Sequence, residues 1–264
     1  MSGFVHKLIN YFKLLSEAYG LKSKIALLLY IPQAFWQTYI KHNPKGTNLM
    51  FNVILKNENG LIFCGRNFVA VHTAASFHEY PIKKLMNIEE GIFIDIGANI
   101  GKYSIFMANK LRNNGKVIAI EAEPYNFGIL KKNISLNHLN NIIPLNNACF
   151  SKNKEMNFFV EKAGGGMHSL YKSIIHKKSI VVKAKKLDDI LKRLKLKDKV
   201  KIIKIDVEGA EAEVIKGAIK TLKKYHPKII FECMPENFND IQVMLKPLKY
   251  TIKRTFGDID YIAF

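Results

Sequence analysis

The residues whose spacing carries most chemistry form one short run, Ile94-Asp95-Ile96-Gly97-Ala98-Asn99-Ile100-Gly101. It reads as an apolar strand ending in a carboxylate, a turn bounded by two glycines, and the start of a helix. A strand that turns through glycine into a helix presents backbone N–H groups to a nucleotide-type ligand at the C-terminal end of the strand. In the dinucleotide version the spacing is GxGxxG, and the middle glycine lets a pyrophosphate approach. Here the spacing is GxxxG with an acid in front of it. Asp95 would repel a pyrophosphate and would suit a cation.

Glu121 stands twenty residues beyond Gly101, at the end of the next apolar run, where a second strand places a carboxylate beside ribose hydroxyls. Two carboxylates at neighbouring strand ends fit an adenosyl cofactor bearing a sulfonium and no phosphate, which is S-adenosylmethionine. A second constellation, Ile202-Ile203-Lys204-Ile205-Asp206-Val207-Glu208-Gly209-Ala210-Glu211, repeats the plan of an apolar strand ending in acids before a helix. Asp206 and Glu208 are the candidate catalytic residues, as base or as groups that orient an acceptor. Glu208 and Glu211 also suit the positive N-terminus of the following helix. Glu232, between Phe231 and Cys233, is costly to bury without a partner, so it either pairs with a cation or meets substrate. His168 and Ser169 follow Gly164, Gly165 and Gly166 and read either as a substrate lid or as a surface turn.

These groups need a scaffold, and the chain alternates strand and helix patterns in steps suited to βαβ units. Strands are expected at 92–96, 117–121, 142–145, 155–160, 180–184, 202–206 and 228–233. Helices are expected at 102–111, 124–137, 187–194, 210–222 and 238–245, and an antiparallel pair at 251–255 and 261–264 closes the chain after a turn at Gly257. Ahead of this lie a hairpin over 49–63, turning at 57–60, and a short helix opened by Pro81. The fold class is therefore α/β, doubly wound, with a mostly parallel sheet and a terminal antiparallel strand pair. Residues 1–47 form an N-terminal helical extension, and 48–264 carry the small β element and the main domain, whose core begins at about 79.

Composition bounds the rest. With 264 residues, 48% of them hydrophobic, the chain can bury a substantial core. Three widely spaced cysteines, Cys64, Cys149 and Cys233, form neither a disulfide framework nor a zinc-ligand pattern, so no metal site is expected and a reducing cytoplasm fits. The net charge is +19 and is carried mostly by lysine, as an AT-rich coding bias would also produce. In 1–45, Phe4, Val5, Leu8, Ile9, Phe12, Leu15 and Tyr19 recur at helical spacing beside Lys7, Lys13, Lys22 and Lys24. This basic amphipathic segment reads either as a cover for the main domain or as weak contact with an anionic membrane surface, which would place the protein against the inner face of the membrane. The longest apolar run, 25–36, is broken at Pro32 and Gln33 and is short of a span.

The stretch from about Glu79 to Glu232 resembles the FkbM family of S-adenosylmethionine-dependent methyltransferases. The resemblance rests on Asp95 through Ser104, on Glu121 with Pro124, on Leu187-Asp188-Asp189, and on Lys204 through Glu211 followed by Gly217-Ala218. It implies a class I methyltransferase fold, Rossmann-like, and O-methylation of a hydroxyl on a sugar, glycan or other small natural-product acceptor. Carried over by position, Gly97, Asn99 and Gly101 would form the cofactor loop with Tyr103 and Ser104 nearby. Glu121 would hold the ribose, while Asp206 and Glu208 would face the methyl group and the acceptor. In Glu121-Ala122-Glu123-Pro124 the proline stands further from the acid than is common in the family, which leaves Glu121 and Glu123 both open for the ribose.

Two other readings compete. Lys183, Lys185 and Lys186 with Lys192, Arg193, Lys195 and Lys197 would suit RNA as the methyl acceptor, although no RNA-binding module accompanies them. An NAD(P)-dependent reductase shares the strand-turn-helix plan but wants the missing middle glycine.

Overall fold

The computed structural model describes residues 2–35, 48–78, 80–160, 178–255 and 259–264; the side chains at 2–8, 31, 34, 35, 48, 80 and 178 are outside that description. Gly164, Gly165, Gly166, His168, Ser169 and Gly257 therefore lie outside the described residues, and so do the side chains of Phe4, Val5, Lys7 and Leu8.

In chain order, two helices, α1 (Ser2–Glu17) and α2 (Leu21–Phe35), precede the hairpin β1 (Asn48–Asn57) and β2 (Gly60–Asn67) and the short helices α3 (Phe68–Ala74) and α4 (Tyr80–Leu85). The alternating region follows as β3 (Gly91–Ile96), α5 (Lys102–Leu111), β4 (Gly115–Glu121), α6 (Pro124–Leu136) and β5 (Ile142–Asn146). Next come β6 (Ala148–Cys149), β7 (Lys154–Val160), β8 (Lys178–Lys185) and α7 (Leu187–Leu194). The chain ends with β9 (Val200–Ile205), α8 (Glu211–Lys216), α9 (Ile219–Tyr225), β10 (Lys228–Glu232), α10 (Pro235–Leu245), β11 (Ile252–Arg254) and β12 (Asp260–Ala263).

Seven strands form the main sheet in the order β11-β12-β10-β9-β3-β4-β5. From β10 to β5 the pairing is parallel, and β12 runs antiparallel to both of its neighbours. The terminal antiparallel pair is thus present, with β12 alone reversed and β11 running with the central strands. This strand order, with its one reversed strand, is the α/β arrangement expected from the sequence pattern. The order turns at β3 and β9, the switch point where an open parallel sheet receives a ligand.

Burial on both faces explains why the central strands are apolar throughout. Ile92, Ile94, Ile96, Ile118, Ile120, Ile203 and Ile205 pack with residues of α7 to α10. Their alternates Phe93, Val117, Ala119 and Ile202 pack with α5, α6 and the N-terminal elements, where Leu14, Ala18, Ala26 and Leu27 join the same core. The helices α1 and α2 are tied down further by the Tyr19 N–H donating to Ile54 O at 2.8 Å and the Ile54 N–H donating to Ser23 Oγ at 3.1 Å.

The outer edge of β2 meets a helix instead of a strand. On α6, Asn133 accepts from the Phe63 N–H at 2.7 Å and donates to Phe63 O at 3.2 Å, while Asn137, which caps the helix C-terminus, accepts from the Leu61 N–H at 2.8 Å and donates to Leu61 O at 2.6 Å. Two carboxamides spaced one helical turn apart therefore stand in for the next strand.

The sequence pattern predicts one helix over 210–222, but the structure breaks it into α8 and α9. A Cβ at Gly217 would fall 2.2 Å from Phe150 O, so the chain passes there at backbone contact. Asp188 then caps α9 by accepting from the N–H groups of Lys220 (3.0 Å) and Thr221 (2.8 Å) and from the Thr221 hydroxyl (2.7 Å). The strands at β7 and β8 also leave the main sheet and pair with β6 in a separate three-stranded sheet. Among the described residues no helix is long and apolar enough to cross a membrane.

Candidate active site

The switch point gathers the C-terminal ends of β3, β4 and β9 around one cleft, and the small sheet walls one side of it. Gly97 and Asn99 line it from the loop after β3, Glu121 from the end of β4, and Asp206, Val207 and Glu208 from the loop after β9. Asn147, Cys149 and Phe158 contribute from the small sheet and its approach.

Gly97 is where the strand ends touch. Its φ is +79°, and a Cβ there would lie 1.7 Å from Asp206 O, so only glycine fits. Backbone bonds stitch the loops together: the N–H groups of Gly97 and Ala98 both donate to Ile120 O at 3.0 Å, and the Asp206 N–H donates to Ile96 O at 3.0 Å.

Glu121 is fixed by two of the same loops. One carboxylate oxygen accepts from the Asn99 N–H and the other from the Glu123 N–H, both at 2.8 Å. Burial pushes its carboxyl up to about 7, against the opposing pull of those two N–H groups. Each oxygen keeps a second acceptor position, which is what a pair of vicinal hydroxyls requires. Glu123 is spent differently, accepting from the Asn126 N–H at 2.6 Å as the cap of α6, and it does not line the cleft. The proline that follows it occupies the first helical position, so the extra residue before Pro124 supplies a cap.

Four of the residues expected at the cofactor do not line the cleft: Asp95, Gly101, Tyr103 and Ser104. Strand periodicity is the reason for Asp95, whose side chain shares a face with Phe93 and packs under α5. It is 1% exposed, accepts from the Ser104 hydroxyl at 2.6 Å, and its other oxygen finds no hydrogen-bond partner. Burial raises its carboxyl, with the neighbouring Lys204 cation and the Ser104 bond pulling the other way. Gly101 serves packing, since a Cβ there would come within 2.6 Å of Leu130 Cδ1 on α6. Tyr103 lies within cation–π range of Lys102 (5.2 Å) and Lys204 (4.9 Å).

Lys204 ties this buried layer to the cleft. It sits beside Asp95 in the sheet register and reaches Asp206 Oδ2 at 2.9 Å. Asp206 therefore enters the cleft with one oxygen held. Glu208 follows in a left-handed conformation, φ 53°, ahead of Gly209 at φ 101°. Glu211 clamps that loop from inside, accepting from the Gly209 N–H at 3.0 Å and the Val207 N–H at 3.4 Å, and burial raises its carboxyl. Glu232 lines a separate small cavity with Lys204, Asp206 and Asp260.

Among the described residues the cleft wall thus carries three carboxylates, Glu121, Asp206 and Glu208, and no lysine or arginine, in a chain of net charge +19. Apolar surface from Ile96, Ile120, Val207 and Phe158 lies between them. Such a wall can hold a flat apolar ring, accept from hydroxyls and attract a positive group. Lys204 was marked in the sequence by a cation inside an apolar strand. Asn147, Cys149 and Phe158 left no such signal, because local periodicity does not say where a second sheet docks.

Residues 95–261 match the methyltransferase FkbM domain. The chain is 27% identical over 169 residues to methyltransferase sdnD of Sordaria araneosa, covering 53% of this chain and 64% of that protein. It is 23% identical over 150 residues to methyltransferase 1 of Beauveria bassiana (strain ARSEF 2860), covering 49% and 59%. The matched part therefore spans about three fifths of each of these relatives. The crystal structure of methyltransferase FkbM from Methylobacillus flagellatus KT aligns with all of this chain and 60% of its own, at 15% identity and a TM-score of 0.49.

Proposed function

Because this chain belongs to the FkbM methyltransferase domain family, we propose that it moves a methyl group from S-adenosylmethionine to a hydroxyl of a sugar, glycan, glycolipid or other small natural-product acceptor. The observation that carries this reading is the carboxylate-lined cleft at the switch point of a strongly basic protein. A dinucleotide would bring two phosphates to a wall whose described residues include three carboxylates and no lysine or arginine. A sulfonium cofactor brings positive charge and hydroxyls, which these residues suit.

When bound, S-adenosylmethionine supplies a methyl carbon made electrophilic by its sulfonium. Glu121, already oriented by two backbone N–H groups, accepts from the ribose hydroxyls. Gly97 and Asn99 shape the loop beside it. Asp206 and Glu208 face the acceptor, and one of them would take the hydroxyl proton as the acceptor oxygen takes the methyl carbon, the methyl–sulfur bond breaking with its electron pair left on the sulfur of S-adenosylhomocysteine. General-base help of this kind is worth roughly 10²- to 10⁴-fold. Lys204 acts as a positioning residue by fixing Asp206 Oδ2, and Glu211 does so through the loop that carries Glu208.

Calorimetric titration with S-adenosylmethionine, S-adenosylhomocysteine and NADH tests the reading. Binding of both adenosyl ligands is expected, with a loss of about tenfold or more in Glu121→Ala, as a hydrogen-bonded carboxylate is worth 1.5–3 kcal/mol on the order of magnitude. A folded wild-type protein that takes NADH and neither adenosyl ligand would overturn it. Labelled-methyl transfer to a panel of glycans, glycolipids, small hydroxylated acceptors and RNA then identifies the acceptor class.

A further inference from the structure

Residues 1–47 contain six lysines and one acid, Glu17. That acid is turned inward. Its half-buried carboxylate accepts from the Ser76 N–H, the Ser76 hydroxyl and, at 2.6 Å, the Asn57 carboxamide, so it fastens α1 to the hairpin and to the turn after α3.

The outer face of α2 combines this unopposed charge with exposed apolar side chains. At about 100° per residue, Leu21, Ile25, Leu28, Leu29 and Pro32 fall in one arc, with Lys24 on one shoulder and Lys22 on the other. Leu21 is 74% exposed and Leu28 57%, while Ser23, Ala26 and Leu27 occupy the opposite, buried side. On α1 the outward stripe is Ile9, Phe12, Lys13 and Ser16, with Phe12 61% exposed. Among the described residues no carboxylate lies within ion-pair reach of Lys13, Lys22 or Lys24.

We propose that the outer face of α1 and α2 docks on an anionic phospholipid surface, the apolar ridge entering the headgroup boundary while the flanking lysines meet lipid phosphates. Long lysine stems lie along apolar surface and keep their ammonium groups at the polar level, which is the placement the two shoulders provide. A partner protein or a second copy of the chain would have to supply an acidic groove shaped to this ridge. A bilayer rich in anionic headgroups supplies the complementary charge without a matching shape.

Co-sedimentation of the full chain with phosphatidylcholine vesicles, with and without phosphatidylglycerol, is the test. Binding is expected only to the anionic vesicles and is expected to fall as salt rises. Each lysine near such a surface contributes roughly fivefold in affinity, so Lys13→Gln/Lys22→Gln/Lys24→Gln together should lose about a hundredfold. Phe12→Ser/Leu28→Ser should weaken binding to the same vesicles yet leave its salt dependence. All these positions are exposed, and an unchanged melting temperature verifies the fold of each variant. Equal binding to neutral vesicles, wild-type binding by the triple-lysine variant, or no binding at all would overturn the proposal. So would concentration-dependent self-association abolished by Leu28→Ser, which would assign the face to a second copy. None of these readouts depends on the cofactor.

Discussion

The cleft and the N-terminal face invert each other. In the cleft Glu121 is held by backbone N–H groups and Asp206 by a lysine behind the strand ends, and among the described residues of the wall there is no lysine or arginine. On the outer face of α1 and α2 the lysines stand open and the half-buried acid is tied to Ser76 and Asn57. The average charge of +19 describes neither region. A net charge indicates what the surface as a whole attracts, whereas a site is read from the charges that the fold collects or keeps out.

The contrast can be broken most severely from the cleft side. Asp206→Asn/Glu208→Gln is expected to cut turnover by about 100-fold or more while S-adenosylhomocysteine affinity stays within a few-fold, checked by single-turnover kinetics beside calorimetry. If both acids can be neutralised with turnover intact, the cleft loses its assigned chemistry. Gly97→Ala attacks the same place through the backbone, and a loss of about 2–3 kcal/mol in denaturant titration is expected from its strained φ and its contact with Asp206 O.

The next effect is in pH. The Glu121 carboxyl is raised to about 7 from the ordinary 4.5, so the folded state holds this proton more tightly than the unfolded chain. Its contribution to stability is therefore present at low pH and is lost as pH rises from about 4.5 to about 7. Melting temperatures of wild type and Glu121→Gln across that window should diverge, with the wild type losing ground as pH increases. A constant difference would mean that the buried carboxylate is better solvated than its surroundings imply. Smaller again is Asp188→Ala, which removes the cap of α9 and should cost about 1 kcal/mol by chemical denaturation. Smallest are the single changes Lys22→Gln and Lys24→Gln, expected to shift stability by less than about 0.5 kcal/mol and leave turnover in solution unchanged. A large effect there would show that the face is part of the folded core's support, not a surface set aside for contact.

The main fold was legible because buried parallel strands must be apolar on both sides, and helices 102–111 and 187–194 end where their patterns end. The break between α8 and α9 was hidden, since it arises from a through-space approach of Gly217 to Phe150 O. At the site, the types and order of the acids were visible, and Gly97, Asn99, Glu121, Asp206 and Glu208 do meet in one cleft. Asp95 was less transparent, because a carboxylate near a strand end points to either face according to one residue of register. The roles of Glu121 and Glu123 could be separated only by hydrogen bonds, as both stand beside the same turn.

The asparagine pair on α6 bears on a different matter, the behaviour of the chain during folding and under stress. A hairpin such as β1–β2 carries an open row of backbone donors and acceptors, which is a template for intermolecular pairing. Asn133 and Asn137 fill that row with side chains from α6, so the protection exists only once the helix has docked. Any condition that loosens α6 from the hairpin would expose a strand edge and the apolar run beside it together. Solubility of this protein would then be governed by the docking of one helix whose first turn, at Asn126, also lines the cleft.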